Sequence, residues 1–197
     1  MRLLLASRNL KKLEELQRIL GPALRDVEVV GLDDVEPYEE VPESGATFED
    51  NALIKAREGN LRTGLPTVAD DSGLTVDALN GMPGVLSARW AGSHGDDEAN
   101  LRLVLDQVAH VPDDRLGAAF VCAVAYVDGE REIVTHGRMP GRLVRDPRGA
   151  NGFGYDPIFV SAGHDRTSAE LSVEEKDAIS HRGQALRALA TRLTSDL

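Results

Sequence analysis

The sequence predicts an α/β fold with a mixed central β-sheet flanked by helices. Three observations carry that prediction. Short apolar runs of strand length alternate with stretches whose apolar residues recur every three or four positions. Asp128-Gly129 separates two β-like runs, a hairpin signal that adds an antiparallel pair to an alternating βα pattern. No linker, repeat or low-complexity segment interrupts the 197 residues. Residues 1–197 are therefore read as a single domain: one sheet with helices on both sides, split into two lobes by a cleft.

Taken in order, Arg2–Ala6 reads as the first strand. Asn9 then caps a helix with Leu10, Leu13, Leu16 and Leu20 on one stripe, and Gly21-Pro22 stops it. Val27–Leu32 reads as a second strand. A loop over residues 33–45 holds Asp33, Asp34, Glu36, Glu39, Glu40 and Glu43. Thr47-Phe-Glu-Asp50 is a capping box that opens a helix to about Thr63, with Gly64 beyond it. Pro66–Ala69 and Leu74–Leu79 read as strands flanking the pair Asp70-Asp71. Asn80–Gly84 is a turn cluster. Asp96 or Asp97 opens a helix that buries Leu101, Val104, Leu105 and Val108. Leu116–Val127 and Arg131–His136 form the hairpin arms, and Gly149–Gly154 is a glycine-rich loop. Ser172-Val-Glu-Glu175 opens a short helical turn, and Ser180 caps a last helix to about Leu193.

Composition narrows the function classes. The chain is 42% hydrophobic and 28% charged, as globular domains are. No apolar stretch approaches the ~20 residues that span a bilayer. The apolar start turns polar after Ala6, too soon for a signal-peptide core, so a cytoplasmic protein without a membrane partner is expected. Lys plus Arg total 22 against 33 Asp plus Glu, a net charge of −11 that argues against nucleic-acid backbones. A small phosphorylated ligand needs only a few local cations, and spare carboxylates remain for a divalent metal. Cys122 has apolar neighbours and no possible internal disulfide partner, so it reads as buried and inert.

Four places carry chemistry. Asp, Ser and Gly favour turns, so Asp70-Asp71-Ser72-Gly73 reads as a turn on propensity alone. A turn needs only one Asp, however, and Mg²⁺ gives adjacent carboxylates a purpose, because it prefers hard oxygen ligands completed by water and phosphate. Glu43, close to a helix start, is the candidate third carboxylate. Ser7-Arg8-Asn9-Leu10-Lys11-Lys12 joins the first strand to the first helix, where backbone N–H groups and the helix dipole suit phosphate. Lysines in a first turn oppose the dipole unless an anion sits nearby. Gly149-Ala-Asn-Gly-Phe-Gly-Tyr-Asp-Pro157 lets backbone approach a ligand, and Phe153 or Tyr155 could stack on a base; the plainer reading is a core anchor. His181 and Arg182 begin a helix where cations oppose the dipole, and with Lys176 they could read a carbonyl oxygen; the plainer reading is surface charge paired to Glu174 or Glu175. Together these describe a pocket for a nucleoside polyphosphate.

The elements ASRNLKKLEEL, ESGATFEDNALIKA, VADDSGL, GMPGVLSARW, GFGYDPIF and EEKDAISHRGQAL run from residue 6 to residue 186. As a set they resemble the inosine/xanthosine triphosphate pyrophosphatases. That resemblance implies hydrolysis of dITP, ITP and XTP to monophosphate and pyrophosphate with Mg²⁺. It also implies an elongated α/β fold with a cleft between two lobes, and a homodimer. Ser7 to Lys12 then resemble the phosphate-binding segment. Asp71 resembles the general base and a metal ligand, with Asp70 or Glu43 helping, and Ser72 lies beside the substrate. Phe153, Gly154, Tyr155, Asp156, Lys176, His181 and Arg182 resemble the nucleoside-binding set. The chain departs from relatives in having Ser7-Arg8-Asn9 where Thr-Gly-Asn is common, and Pro42-Glu43 where two glutamates are common. A pyrophosphatase of ordinary or methylated nucleotides is the rival enzyme, and a nucleotide sensor the rival from another class. A paired carboxylate speaks against the sensor.

Overall fold

The computed structural model describes residues 2–22, 27–39 and 41–195. Its elements are β1 (Arg2–Leu5), α1 (Leu10–Leu20), β2 (Glu28–Val30), α2 (Phe48–Thr63), β3 (Thr67–Val76), α3 (Asp97–Gln107), β4 (Gly117–Asp128), β5 (Arg131–Leu143), β6 (Phe159–Ser161), α4 (Val173–Ile179) and α5 (His181–Ser195). The six strands form one sheet in the order β2-β1-β3-β4-β5-β6. β1 runs parallel to β2 and β3, whereas β6 pairs antiparallel with β5, so the sheet is mixed. Among the described residues no helix is long and apolar enough to cross a membrane.

Local signals start and stop most helices. Asn9 Oδ1 accepts from the Lys11 and Lys12 N–H groups at 3.0 and 3.3 Å and caps α1. Thr47 and Asp50 cap α2 reciprocally, and Gly64 ends it at φ 67°, a conformation costly for most residues other than Gly and Asn. Asp96, rather than Asp97, caps α3. Ser172 and Glu175 cap α4, and Ser180 lies in extended backbone between α4 and α5.

Several strand expectations change: the expected strand Leu74–Leu79 ends at Val76, and Asp77–Leu79 turns into a 3-10 helix. The second strand covers only Glu28–Val30, and Leu32–Asp34 turns into a 3-10 helix. β5 continues seven residues past His136, to Leu143, and β6 was not foreseen. Above all, Asp70 and Asp71 lie inside one strand, β3, that runs unbroken from Thr67 to Val76. The turn propensity of Asp-Asp-Ser-Gly is overridden because the Asp70 and Asp71 carboxylates find tertiary partners there.

The chain divides into two compact units. The first comprises residues 1–71, 122–137 and 182–197. Leu3, Val68 and Val124 meet Leu16 of α1 and Leu186 and Leu189 of α5 in one core cluster. Ala69 and Ala123 meet Ala52 and Ala56 of α2 in another. Val68 and Ala69 are neighbours in β3, so α1 and α5 cover one face of the strand and α2 the other. The second unit comprises residues 72–121 and 138–181, built on Leu74, Val104, Phe120, Met139, Ile158 and Phe159. Gly73 there is required by space: a Cβ would lie 2.3 Å from Ser87 Oγ and 2.6 Å from the Gly84 carbonyl.

Candidate active site

Strand geometry explains how two adjacent carboxylates are tolerated. Successive side chains of a strand point to opposite faces. Asp70 falls on the α1/α5 face, where its Oδ2 meets Lys12 Nζ at 3.0 Å and Arg182 Nε at 3.1 Å. Arg182 Nη1 also donates to Glu15 Oε2 at 2.6 Å. Glu15, Asp70 and Arg182 are all buried, so this is an internal network with two charges of each sign. Burial works against the Asp70 charge, yet Lys12, Arg182 and Lys55 hold its carboxyl well below the usual range.

Asp71 falls on the α2 face. Asn51 Nδ2 donates to its Oδ2 at 2.9 Å, and Lys55 Nζ lies 4.0 Å from its Oδ1. Asn51 and Lys55 are four residues apart and share one face of α2. The Asn51 amide is itself oriented, since its Oδ1 accepts the Gly45 N–H at 2.8 Å. Lys55 donates to Glu43 Oε1 at 2.6 Å and to the Asp70 carbonyl at 2.7 Å. Burial, and then the Glu43 charge, push the Asp71 pKa above the ordinary carboxylate value despite Lys55. Burial disfavours the Lys55 charge, but Asp70, Asp71 and Glu43 raise its pKa overall.

The chemistry of this donor set fits a magnesium ion. Glu43 and Asp71 are hard oxygen donors, and the charge of one raises the pKa of the other. Asp70 fits less well, because its Oδ2 is engaged by two cations. Among the described residues no group of three or more His, Cys, Asp or Glu side chains is arranged to hold a metal alone.

The phosphate segment departs from expectation in one respect. The Lys11 and Lys12 N–H groups serve the Asn9 cap instead of lying open to an anion, and Asn9 N–H donates to Ser7 Oγ at 3.2 Å. Arg8 is exposed and sits 3.9 Å from Asp33. The side chain of Leu10 and all of Glu40 lie outside the described residues.

The second unit holds the candidates Phe153 to Asp156, Lys176 and His181. Asp156 Oδ2 accepts from Phe153 N at 2.9 Å and pairs with Lys176, whose Nζ sits 5.3 Å from the Phe153 ring centroid. Gly152, at φ 75°, leaves room for this pair, for a Cβ would fall 2.0 Å from Asp156 Oδ2. Tyr155 is a core residue, its hydroxyl donating to the Ser87 carbonyl at 2.8 Å, so the plainer of its two readings holds. His181 is 6% exposed and stacks on Phe120 with centroids 5.0 Å apart. The surface-charge reading of His181 and Arg182 is therefore wrong: both are buried, and Glu175 binds Arg166 at 2.6 Å. Cys122 is buried as expected, and burial pushes its thiol pKa up.

Sequence reasoning missed Asn51, Lys55 and Glu15. The first two sit in the quoted stretch ESGATFEDNALIKA, and their four-residue spacing on a capped helix was the available signal. Glu15 lies in the stretch ASRNLKKLEEL, and nothing local marks it.

The protein-family model of the Ham1 family matches residues 3–192. The chain belongs to the Ham1 family. A Ham1 relative from Mycobacteroides abscessus, named dITP/XTP pyrophosphatase, is 63% identical over 195 residues, covering 98% of this chain and 95% of that protein. The crystal structure of a nucleoside-triphosphatase / dITP/XTP pyrophosphatase from Mycobacterium abscessus superposes with a TM-score of 0.80 at 64% identity, over 96% of this chain and 98% of that one. The Ham1 protein of Staphylococcus aureus gives 0.90 at 36% identity over the full length of both chains. The Ham1 fold is thus the mixed α/β sheet described above.

Proposed function

We propose that this chain hydrolyses deaminated purine nucleoside triphosphates (dITP, ITP and XTP) to the monophosphate and pyrophosphate. It acts with Mg²⁺ in the cytoplasm, as one catalytic domain over residues 1–197 and as a homodimer, and keeps these bases out of DNA and RNA. One observation carries the reading: a buried carboxylate, Asp71, oriented by Asn51 and set beside Lys55 and Glu43. Relatives named dITP/XTP pyrophosphatase over nearly their whole length support the substrate class.

Asp71 orients the attacking water and takes its proton as the water's oxygen bonds to the α-phosphorus. Asn51 holds the carboxylate in one rotation, and Lys55 keeps Glu43 and Asp71 from repelling one another. Glu43 and Asp71 would hold the magnesium ion, which when bound supplies positive charge to the phosphate oxygens. Asp70 has the supporting role, fixing Lys12 so that its ammonium can stabilise charge on the departing pyrophosphate. Ser7 to Lys12 carry the phosphates, and Ser72 lies beside them. Phe153 stacks on the purine, Lys176 and Asp156 frame it with Gly154, and Tyr155 anchors that loop. His181 and Arg182 read the 6-oxygen, Arg182 while sharing its guanidinium with Glu15 and Asp70.

The test is a panel of ITP, dITP, XTP, GTP, dGTP and ATP with Mg²⁺ and separated products. Monophosphate and pyrophosphate from the first three, with little from the rest, is the expected result. Diphosphate with orthophosphate would place attack at the γ-phosphorus and overturn the mechanism. Equal turnover of all six would remove the roles given to His181 and Arg182. Light scattering on the eluted protein checks the dimer.

A further inference from the structure

One carboxylate of the second unit has no part in the mechanism above. Asp97 is the first residue of α3, and its Oδ2 accepts the Gly154 N–H at 2.8 Å. The helix does not need this group as a cap, because Asp96 Oδ1 already accepts from Ala99 N at 3.0 Å. Gly154 stands at φ 62° between Phe153 and the buried Tyr155. The start of the loop is tied elsewhere, with Asn151 N donating to the Ala169 carbonyl and Asn151 Nδ2 to the Leu171 carbonyl, both at 3.0 Å. Asp97 is thus the tie from α3, and it grips the peptide that follows Phe153.

We propose that Asp97 is a positioning residue for the purine: by holding the Gly154 N–H it sets the Phe153–Gly154 peptide plane and, through it, the Phe153 ring. The inference rests on the reading of Phe153 as the stacking residue. A face set before substrate arrives favours ground state and transition state alike, so its loss raises KM and leaves kcat.

The experiment compares Asp97→Ala, Asp97→Asn and Phe153→Ala in the full chain with ITP and Mg²⁺. It adds inhibition by inorganic tripolyphosphate, which has no base, and amide hydrogen exchange over residues 149–156. Asp97→Ala should raise KM for ITP about 5–10-fold, the worth of one such hydrogen bond, with kcat within about twofold. Tripolyphosphate inhibition should stay as in the wild type, exchange near Gly154 should quicken, and Asp97→Asn, which keeps an acceptor, should recover most of the KM. An unchanged KM in Asp97→Ala while Phe153→Ala raises it overturns the role of Asp97 alone. A joint rise of KM and the tripolyphosphate constant, or Asn no better than Ala, reduces Asp97 to a structural residue and also overturns it. A wild-type KM in Phe153→Ala overturns the stacking reading and this inference with it.

Discussion

Asp71 is placed where its charge is useful to a reaction and costly to the fold. Burial and the Glu43 charge raise its pKa, so ionisation opposes folding once the pH exceeds the ordinary Asp value of about 3.9. A raised carboxyl pKa gives stability that is present at low pH and lost as pH rises through the folded value. Metal-free Asp71→Asn should therefore melt above the metal-free wild type at neutral pH, and the gap should close below about pH 4. The same variant should lose ~10²–10⁴-fold in turnover as the base disappears; near-normal turnover would remove Asp71 from that role. Asn51 makes the complementary case. Asn51→Ala leaves the Gly45 N–H without its acceptor and Asp71 without its donor, which should cost about 1–3 kcal/mol in denaturant unfolding. It should also lower kcat by about 10–100-fold, as loss of an orienting partner commonly does.

At the scale of the element, β3 and its covering helices do the positioning. One strand delivers Asp70 to Lys12 of α1 and Arg182 of α5, and Asp71 to Asn51 and Lys55 of α2. α1 and α2 can hold their side chains because caps at Asn9 and Thr47 fix where each one starts. Elsewhere a single side chain closes an element: Arg145 donates to the Val108, Ala109 and Val111 carbonyls and to Asp113, binding the chain that leaves α3. Carbonyls at a helix C-terminus attract cations, so these bonds favour the helix end. Arg145→Ala should lower unfolding free energy by about 1–2 kcal/mol, discounted for the exposure of the guanidinium, and should speed amide exchange over residues 105–112. Unchanged exchange there would show that the clamp is dispensable.

For the whole molecule, acid is the informative perturbation. Asp70, Glu132, Glu170 and Glu175 all titrate below their ordinary values. The hydrogen bond from Arg166 and then the Ser172 N–H bring Glu175 down to about 2. A depressed carboxyl pKa stabilises the fold above the unfolded value of about 4.3 and ceases to do so as pH falls through the folded one. The melting temperature of the metal-free protein should thus fall below about pH 4. Glu175→Gln should melt lower than wild type at neutral pH, with the difference shrinking toward pH 2. A difference that stays constant over that range would deny the Glu175 shift.

The sequence by itself determined the α/β class, the caps at Asn9, Thr47 and Ser172, the glycine-rich loop and the residues from which a nucleotide site could be assembled. Those signals are local: a cap spans three or four residues, and an apolar period repeats within one helix. Only the tertiary structure decided that Asp70 and Asp71 sit within a strand and face different helices. The partners that make this stable are far away in the chain, Arg182 being 112 residues from Asp70 and 167 from Glu15. The same holds for the burial of His181 and Arg182, whose polar groups look exposed until Phe120 and Glu15 come within reach. Propensity describes a residue in the absence of such partners, and a buried charge exists only in their presence.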